Sequence, residues 1–441
     1  MTAIQDQEKT GLGNYFIANY PPFSFWKPEH VPAAEAALDR PPRPGTQLGL
    51  YLHIPFCRKR CKFCYFRVYT DKNARDVEDY LDALVKEVEL YAARQAVRNR
   101  PLDFVYFGGG TPSYLSANQL TDLARRLKAI MPWDHAAEVT FECEPGTLQQ
   151  HKLAALRELG ITRLSLGVEN FNDDILSENG RAHRSPEIYR AYQWAKDLRF
   201  PQINVDLIAG MVGETDENWR ECVRKTIEMS PDSVTIYQME LPYNTIYSKE
   251  LRVLGSNGVD PSQIADWPTK RRWVGYAFDE LRKAGYEISS GYTMVKDKAK
   301  TRFVYRDGLW HGADLLGTGV ASFGHVNGVH MQNVDDWDRY LARLNEGRLP
   351  LHRALPVSNR ELLIRELVLQ LKTGRVEPAY FHNKFGLDII DLYAPVLERR
   401  QASGDLTYSA EEIKLTRQGL LQVDRLLPDF FLPEHRGVRY T

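Results

Sequence analysis

The sequence predicts an α/β fold built on a partial (β/α)6 barrel. From residue 47 onward, short apolar runs typical of buried strands alternate with stretches of helical periodicity. Repeated βα units at this spacing favour a parallel sheet with right-handed crossovers. In such barrels the chemistry lies at the carboxyl ends of the strands. The predicted strands span residues 48–54, 103–107, 138–142, 163–168, 203–207 and 233–237.

Two flanking regions depart from this alternation. Residues 1–46 are rich in aromatic side chains and end near a proline-rich turn, which predicts an arm packed on the barrel, with a flap over an active site as the alternative. Residues 47–345 would form the barrel and an extension, with a loop-rich stretch at 302–333. Shorter amphipathic helices follow, and Ser358 is a predicted N-cap. Residues 346–441 are therefore expected to form a small C-terminal helical domain.

Composition and charge indicate an ordinary globular protein. The chain has 441 residues and a formal net charge of −1, so global charge does not favour nucleic acid or an anionic membrane as a partner. No apolar run approaches the roughly 20 residues of a membrane span, and none is predicted. Five cysteines, three of them clustered, are more typical of a reducing compartment than of a disulfide framework. We therefore expect a cytoplasmic protein.

The most informative motif is a cysteine cluster that follows the first predicted strand. The thiols of Cys57, Cys61 and Cys64 lie so close in sequence that they must be oxidised together, bind a metal or hold an iron–sulfur cluster. Zinc sites usually take four protein ligands, and no matching Cys/His pair follows at the usual spacing. Three cysteines leave one iron of a [4Fe–4S] cluster without a thiolate, and an open iron can bind a small chelating molecule.

The spacing of these cysteines resembles the signature of the radical S-adenosylmethionine (SAM) enzymes. The preceding segment, Tyr51-Leu-His-Ile-Pro-Phe, narrows the resemblance to the branch that contains oxygen-independent coproporphyrinogen III oxidase. The resemblance implies a six-stranded open barrel, a winged-helix-like C-terminal domain and a [4Fe–4S] cluster whose open iron is chelated by SAM. Reductive cleavage of SAM then gives a 5′-deoxyadenosyl radical. A small-molecule substrate and an electron donor such as flavodoxin or ferredoxin are the implied partners.

The resemblance also assigns the residues expected around SAM. The run from Gly108 to Thr111 lets the backbone approach the amino group of SAM, since glycine has no Cβ. Arg181 is expected to pair with a carboxylate. Two residues depart from the family pattern: Glu144 stands where the family has Asn or Asp, and Glu169 stands where it has Gln. The cofactor-binding residues are predicted to be Tyr51, Phe63, Gly108, Gly109, Gly110, Thr111, Glu142, Glu169, Arg181 and Asp206.

The reaction is less constrained than the cofactor site. Coproporphyrinogen oxidases carry a further cysteine two residues after the third cluster ligand, where this chain has Phe66. We therefore favour a class C methylase or cyclopropanase, which would use one or two SAM molecules to transfer a methyl or methylene group to an sp² carbon of a natural-product or lipid-like substrate. The alternatives are oxidative decarboxylation of a porphyrinogen and haem binding, as in the haem chaperones of the same branch.

Side chains that could complete the reaction follow the last predicted strand. Glu240, Tyr243 and Tyr247 are catalytic candidates, because quenching an adduct requires a proton transfer. For the haem-binding alternative, three nearby histidines could ligate iron, although histidines in a loop are more often hydrogen-bonded surface groups. These are His311, His325 and His330.

Overall fold

The computed structural model describes residues 16–242, 244–250 and 261–438, and its centre is a twelve-stranded sheet. The strands are β1 Leu48–Ile54, β2 Phe104–Gly109, β3 Glu138–Cys143, β4 Arg163–Glu169, β5 Gln202–Ala209, β6 Ser233–Gln238, β7 Glu287–Ile288, β8 Thr293–Val295, β9 Asp314–Thr318, β10 Phe323–Val326, β11 Val329–Asn333 and β12 Leu351–Pro356. Their order is β12-β11-β10-β9-β1-β2-β3-β4-β5-β6-β8-β7. Strands β9 and β1 to β6 are parallel, which confirms the predicted α/β fold and its six βα units.

Helices cover the outer face of the parallel strands, so these strands are buried on both faces. The predicted N-cap Ser358 is confirmed: it forms a capping box with the residue three positions later, and Ser116 forms another at the start of its helix. The helices are α1 Val31–Leu38, α2 Ala74–Ala92, α3 Ala117–Ile130, α4 Gln150–Glu158, α5 Asp173–Glu178, α6 Ser185–Asp197, α7 Asp216–Met229, α8 Ile246–Glu250, α9 Trp267–Lys283, α10 Val304–Trp310, α11 Trp337–Asn345, α12 Asn359–Leu371, α13 Pro378–Phe385, α14 Ile389–Ala402, α15 Arg417–Leu421 and α16 Val423–Leu426.

The stretch predicted to be loop-rich, 302–333, is instead largely regular, and this prediction was wrong. It contains α10 and the strands β9 to β11, which extend the sheet beyond β1. Strands β10 and β11 are joined by Asn327 and Gly328, whose φ angles of +50° and +78° suit a two-residue hairpin turn. The strands are only four or five residues long, so their alternation was too short to read.

The aromatic arm packs on the barrel and on the C-terminal region. Tyr20 is fully buried, and its hydroxyl lies 2.7 Å from His435 Nδ1. Lys27 exchanges backbone hydrogen bonds with Ala354, which attaches the arm to β12. The C-terminal helices accompany an antiparallel sheet of β13 Arg375–Val376, β15 Ile413–Leu415 and β14 Leu406–Tyr408, as a winged-helix-like unit requires. Within the described residues, no helix is both long and apolar enough to cross a membrane.

Candidate functional site

The candidate site lies at the carboxyl ends of β1 to β6, where the loop after β1 carries the three cysteines. This loop is fixed by backbone hydrogen bonds, from Cys57 N to Tyr69 O and from Lys62 N to Asn179 O. Gly180 also packs against it: a Cβ there would lie 3.1 Å from Arg60 O, and its φ of +77° favours glycine. The cysteine loop is therefore held from both sides before any ligand binds.

Two of the three thiols lie within hydrogen-bond reach of groups that suit thiolate ligands. Arg181 Nη1 donates to Cys61 Sγ at 3.4 Å, and Cys57 Sγ lies 3.3 Å from Thr111 Oγ1. All three cysteines are half-buried, and burial raises the pKa of Cys57 to about 11 and of Cys64 to about 12. Iron binding provides the free energy needed to ionise these thiols, because thiolates are the ligands that iron–sulfur clusters use.

The cysteines fit a cluster rather than a single ion. Among the described residues, no three His, Cys, Asp or Glu side chains converge on a position for one metal ion. A cubane cluster binds each cysteine through a different iron, so it does not need the three sulfurs to converge on one point. The Nε atom of Arg181 is also buried without a partner, beside the cysteine to which Nη1 donates. This unsatisfied donor suits the carboxylate of a ligand on the open iron.

The glycine run lies at the end of β2, directly beside the cysteine loop. A Cβ on Gly110 would lie 2.8 Å from the carbonyl carbon of Pro55, so the two backbones approach as closely as glycine permits. Gly109 has a φ of +115° and donates its N–H to Glu142 Oε2 at 3.2 Å. A Cβ on Gly108 would meet the ring of Tyr106 at 2.8 Å. The structure thus explains all three glycines by close approach or backbone angle.

Three predicted cofactor-binding carboxylates lie on β3, β4 and β5, where Glu169 is buried and Glu142 and Asp206 are half-buried. Burial raises the pKa of Glu142 and of Glu169 to about 7, and it also raises that of Asp206. Asp206 accepts hydrogen bonds from Ser165 and Asn204, each at 2.8 Å. A pocket that holds three acidic groups at such close quarters favours a positively charged ligand, and SAM carries a sulfonium cation.

Glu169 combines this burial with a strained backbone. Its φ is +64°, and the register between β4 and β5 shifts at this residue. A carboxylate oxygen of Glu169 lies 3.6 Å from Arg181 Nη2, and that guanidinium also donates to Gly167 O at 2.6 Å. A non-glycine residue held at positive φ at the end of a central strand is typical of a functional site. The charge of Glu169 is thereby directed at Arg181.

The departure from the family at Glu144 has a structural reason. Its carboxylate accepts two hydrogen bonds from Arg58 in the cysteine loop, at 3.1 and 2.8 Å, and His183 Nδ1 lies 3.3 Å away. Burial alone would raise the pKa of Glu144, but His183 and Arg58, with the charge of Arg181, lower it to about 2. Glu144 therefore ties the cysteine loop to the segment between α5 and α6.

The remaining predicted residues that the structure describes contact the barrel interior, an apolar cluster or the N-terminal arm. Tyr51 stacks on Tyr106 with ring centroids 5.9 Å apart, inside the barrel, and Phe63 packs on the apolar cluster that contains Tyr247. The Tyr247 hydroxyl is buried and donates to Asn179 Oδ1 at 3.0 Å, so this side chain supports the cysteine loop. Glu240 accepts a hydrogen bond from Phe16 N, and burial raises its pKa to about 8. Tyr243 lies outside the described residues.

The histidines considered for haem are not arranged as surface ligands. The Nδ1 atoms of His325 and His330 lie 2.9 Å apart in the core, and His330 Nε2 lies 3.0 Å from Tyr20 O. His330 also stacks on Trp26 at 4.9 Å. His311 is exposed, but its Nδ1 lies 2.7 Å from Asp307 O. In this structure haem could not reach the buried pair.

Sequence reasoning missed a group of residues inside the barrel. Arg163 is 2% exposed at the start of β4, and the ring of Phe303 lies 4.1 Å from its guanidinium carbon. Tyr305 packs on Tyr106 at 4.3 Å, next to Tyr51. The signal was present for Arg163, because a lone charge that alternates with apolar residues in a predicted strand points into the barrel.

Comparisons with known proteins agree with this geometry. The sequence pattern of the radical SAM superfamily matches residues 51–226. Heme chaperone HemW of Haemophilus influenzae is 30% identical over 283 residues, 63% of this chain and 70% of that protein. The oxygen-independent coproporphyrinogen III oxidase of Pseudomonas aeruginosa is 28% identical over 417 residues, 90% of this chain and 88% of the oxidase. The coproporphyrinogen III oxidase structure from Escherichia coli, a radical SAM enzyme, superposes with a TM-score of 0.81 at 22% identity, covers 98% of both chains and has the same fold.

Proposed function

The chain belongs to the radical SAM superfamily, in the branch of the oxygen-independent coproporphyrinogen III oxidases and haem chaperones, and from this premise we propose an oxidase-like reaction on a flat, carboxylated substrate of the porphyrinogen class. Members of the superfamily use a [4Fe–4S] cluster and SAM. The observation that carries the proposal is the similarity to curated oxidases over nearly the whole chain, 95% of it for the enzyme of Synechocystis at 26% identity. The specific reaction is oxidative decarboxylation, with one SAM consumed in each step.

The residues at the strand ends have separate tasks in this proposal. Cys57, Cys61 and Cys64 would hold the cluster. The backbone from Gly108 to Gly110 and the buried carboxylates would hold SAM, with Arg181 on its carboxylate. When bound, the cluster and SAM supply an electron and a 5′-deoxyadenosyl radical, the agent that abstracts hydrogen. The strand ends keep these groups in place, and the barrel wall keeps water away from them.

An aromatic wall on one side of the barrel suits a flat substrate. Tyr106 and Tyr305 lie 4.3 Å apart, and Phe303 lies 6.0 Å from Tyr305. Tyr51 extends this wall towards the cysteine loop, and Tyr237 at the end of β6 is 42% exposed. Aromatic faces bind flat rings and exclude water from the reacting carbon. Glu240, with its raised pKa, is the residue we propose to take up or supply a proton.

Phe66 separates this chain from oxidases that carry a cysteine at that position. Its ring is 47% exposed and packs on Tyr65 with centroids 4.6 Å apart. No thiol can act there, so we propose that oxidative decarboxylation proceeds in this chain without a thiol at that position. Methyl or methylene transfer with a second SAM, favoured from the sequence alone, has less support, since the relatives described above are oxidases and a haem chaperone.

An external reductant must supply the electron that starts SAM cleavage, and the substrate gives one electron back as it loses carbon dioxide. We propose a small acidic electron carrier such as flavodoxin or ferredoxin, because Arg58 and Lys59 are exposed beside the first cluster ligand. We also infer a cytoplasmic location, where clustered thiols stay reduced.

A product assay tests the proposal. Protein reconstituted under anaerobic conditions would receive coproporphyrinogen III, SAM and dithionite, and mass spectrometry would follow the tetrapyrrole, 5′-deoxyadenosine and S-adenosylhomocysteine. We expect 5′-deoxyadenosine together with a product that has lost carbon dioxide and two hydrogens, and no S-adenosylhomocysteine. A methylated product with both nucleosides would replace the proposal by two-SAM transfer. Haem binding with no nucleoside product would favour the chaperone function instead.

A further inference from the structure

We propose that Arg163 binds a carboxylate of the substrate on the floor of the barrel. The proposal rests on the proposed function only for the identity of the substrate. That the bound group is a carboxylate is inferred from the residues around Arg163 alone. Arg163 lies deep inside the barrel. The protein carboxylates predicted to bind SAM lie between it and the cysteine loop.

The first observation is a buried charge without a partner. Arg163 is 2% exposed, and its Nη1 is buried with no hydrogen-bond partner among the described residues. No carboxylate in the described part of the chain lies within ion-pair distance of it. Proteins seldom leave a guanidinium in this state, because burial removes its hydration and nothing replaces it. By contrast Arg100, also largely buried, donates to Asp314, Ala96 O and Thr46 O.

The second observation is the direction of the side chain. Arg163 pairs in register with Thr140, and Ser165 pairs with Glu142, so Arg163 lies on the strand face that carries the cofactor-site carboxylates. Its positive charge lowers the pKa of Glu142 and of Asp206, though burial raises both overall. The guanidinium therefore points into the barrel, below the predicted SAM site.

The third observation is that polar neighbours on the floor are already occupied. Asn204 donates to Ser165 and Asp206 and accepts from Ser233 and Thr235, which uses its whole amide. The exception is Gln202, the register partner of Arg163 on β5, whose side-chain oxygen also has no partner. A rotation of that side-chain amide by about 180° would present its N–H groups to a carboxylate bound by Arg163. Among the described residues, the unsatisfied polar atoms of the floor are thus one donor, Arg163 Nη1, and one acceptor, Gln202 Oε1, which the rotated amide would replace with a donor.

The surroundings select a carboxylate among anions. Phe303 stacks on one face of the guanidinium and leaves its edge free for the two parallel hydrogen bonds that a carboxylate accepts. The nearby acidic groups Glu142 and Asp206 would repel a doubly charged phosphate more than a singly charged carboxylate. Phe303 is itself half-buried and directly precedes α10, so a ligand of Arg163 would have to enter beside this ring. A flat ring against the aromatic wall would place its carboxylate side chain here.

Binding measurements on acids and their methyl esters test the assignment. The probes are coproporphyrin III with its tetramethyl ester, and indole-3-propionate with its methyl ester, each titrated into reconstituted protein with SAM present. We expect the wild type to prefer each acid by about tenfold to a hundredfold, as for a charge-assisted hydrogen-bonded pair. Arg163→Gln should abolish the preference, and Arg163→Lys should keep part of it, since lysine retains the charge but not the fork.

A matched variant separates this role from structural damage. Arg306 is buried, also lies over Phe303 and also has an unpartnered Nη1, but it is paired with Asp307. Arg306→Gln should therefore keep the preference of the wild type. Thermal unfolding and cluster absorbance check that each variant folds, and if Arg163→Gln does not fold, Arg163→Lys and the wild type still decide the question.

Two results would overturn the assignment. The first is a wild type that binds neither acid more tightly than its ester. The second is an Arg163→Gln protein that keeps the preference; if that protein also loses affinity for SAM, Arg163 is a counter-charge for Glu142 and Asp206. If acid preference depends on Arg163 but coproporphyrinogen III is not converted, the proposed function fails and the binding site stands.

Discussion

Replacing Glu144 with glutamine is expected to destabilise the fold around the cysteine loop and to hinder cluster assembly. The Glu144 carboxylate accepts two hydrogen bonds from Arg58, which directly follows Cys57, and lies 3.3 Å from His183 Nδ1. Glutamine keeps the size of the side chain but removes the charge that these partners face. One of the two nitrogens of Arg58 would then meet an N–H group instead of an acceptor.

The pKa of Glu144 gives the magnitude. It falls from 4.5 to about 2 in the folded protein, because the hydrogen bonds and nearby positive charge outweigh burial. A depression of this size corresponds to about 3 kcal/mol of folding free energy at neutral pH. Solvent screens the share of Arg58, whose side chain is 37% exposed, so we expect a loss of about 2 kcal/mol. The stabilisation is fully present above pH 4.5 and is lost as the pH falls towards 2.

Urea unfolding at neutral pH, followed by tryptophan fluorescence, measures this loss, and iron per chain after reconstitution measures cluster assembly. Glu178→Gln is the matched control, since Glu178 also pairs with a cation of the cysteine loop, Lys62 at 2.8 Å, but is 47% exposed. We expect that control to lose about 0.5 kcal/mol or less. If Glu144→Gln is no more destabilising than Glu178→Gln and takes up iron normally, the role assigned to the Glu144 network is refuted.

Three further predictions concern the cofactor site and the core. Affinity for SAM should rise as the pH increases through about 7, the raised pKa of Glu142, because only the ionised carboxylate attracts the cationic cofactor. Calorimetry should show this rise in the wild type and a smaller rise in Glu142→Gln, where Glu169, whose pKa is also raised to about 7, still titrates; a flat wild-type profile would contradict it. Gly110→Ala should lower the iron content, since its Cβ would lie 2.8 Å from the Pro55 backbone, whereas Gly275→Ala, with its nearest contact at 3.4 Å, should not; equal iron contents would disprove the packing argument. Glu87→Leu should lower the free energy of unfolding in urea by about 3 kcal/mol, because the buried donors that now bond to Glu87 would lose their acceptor. A loss below about 1 kcal/mol would mean that these donors find other partners.

The parts of the fold that the sequence predicts are those set by local patterns. The six barrel strands have apolar runs bounded by turns, and Ser116 and Ser358 precede periodic helices. Helix α1 was missed, because its alanines give no amphipathic contrast, although Pro32 near its start was a usable signal. The Asn327-Gly328 hairpin was a further signal that went unread. The extra strands beyond β1 depend on pairing with distant chain segments, which no local pattern reveals.

In the candidate site, too, contiguous motifs could be predicted from the sequence and contacts between distant residues could not. The cysteines and the glycine run are contiguous motifs, and the structure places them against each other as expected. The contact between Arg58 and Glu144 joins residues 86 positions apart, so spacing alone could not show it. Arg163 was visible as a charge in a buried strand, but its lack of a partner is a property of the packed barrel. The division of the chain at residues 46 and 345 and the catalytic role of Glu240 remain predictions.

The most direct test of the account is the cleavage of SAM by reconstituted protein under anaerobic conditions with dithionite. Liquid chromatography would quantify 5′-deoxyadenosine for the wild type, Cys61→Ala and Cys143→Ala, the last a buried cysteine outside the cluster motif. The account predicts 5′-deoxyadenosine from the wild type and from Cys143→Ala, and none from Cys61→Ala. Continued formation by Cys61→Ala, or its absence from wild-type protein that contains a full cluster, would contradict the assignment of the site.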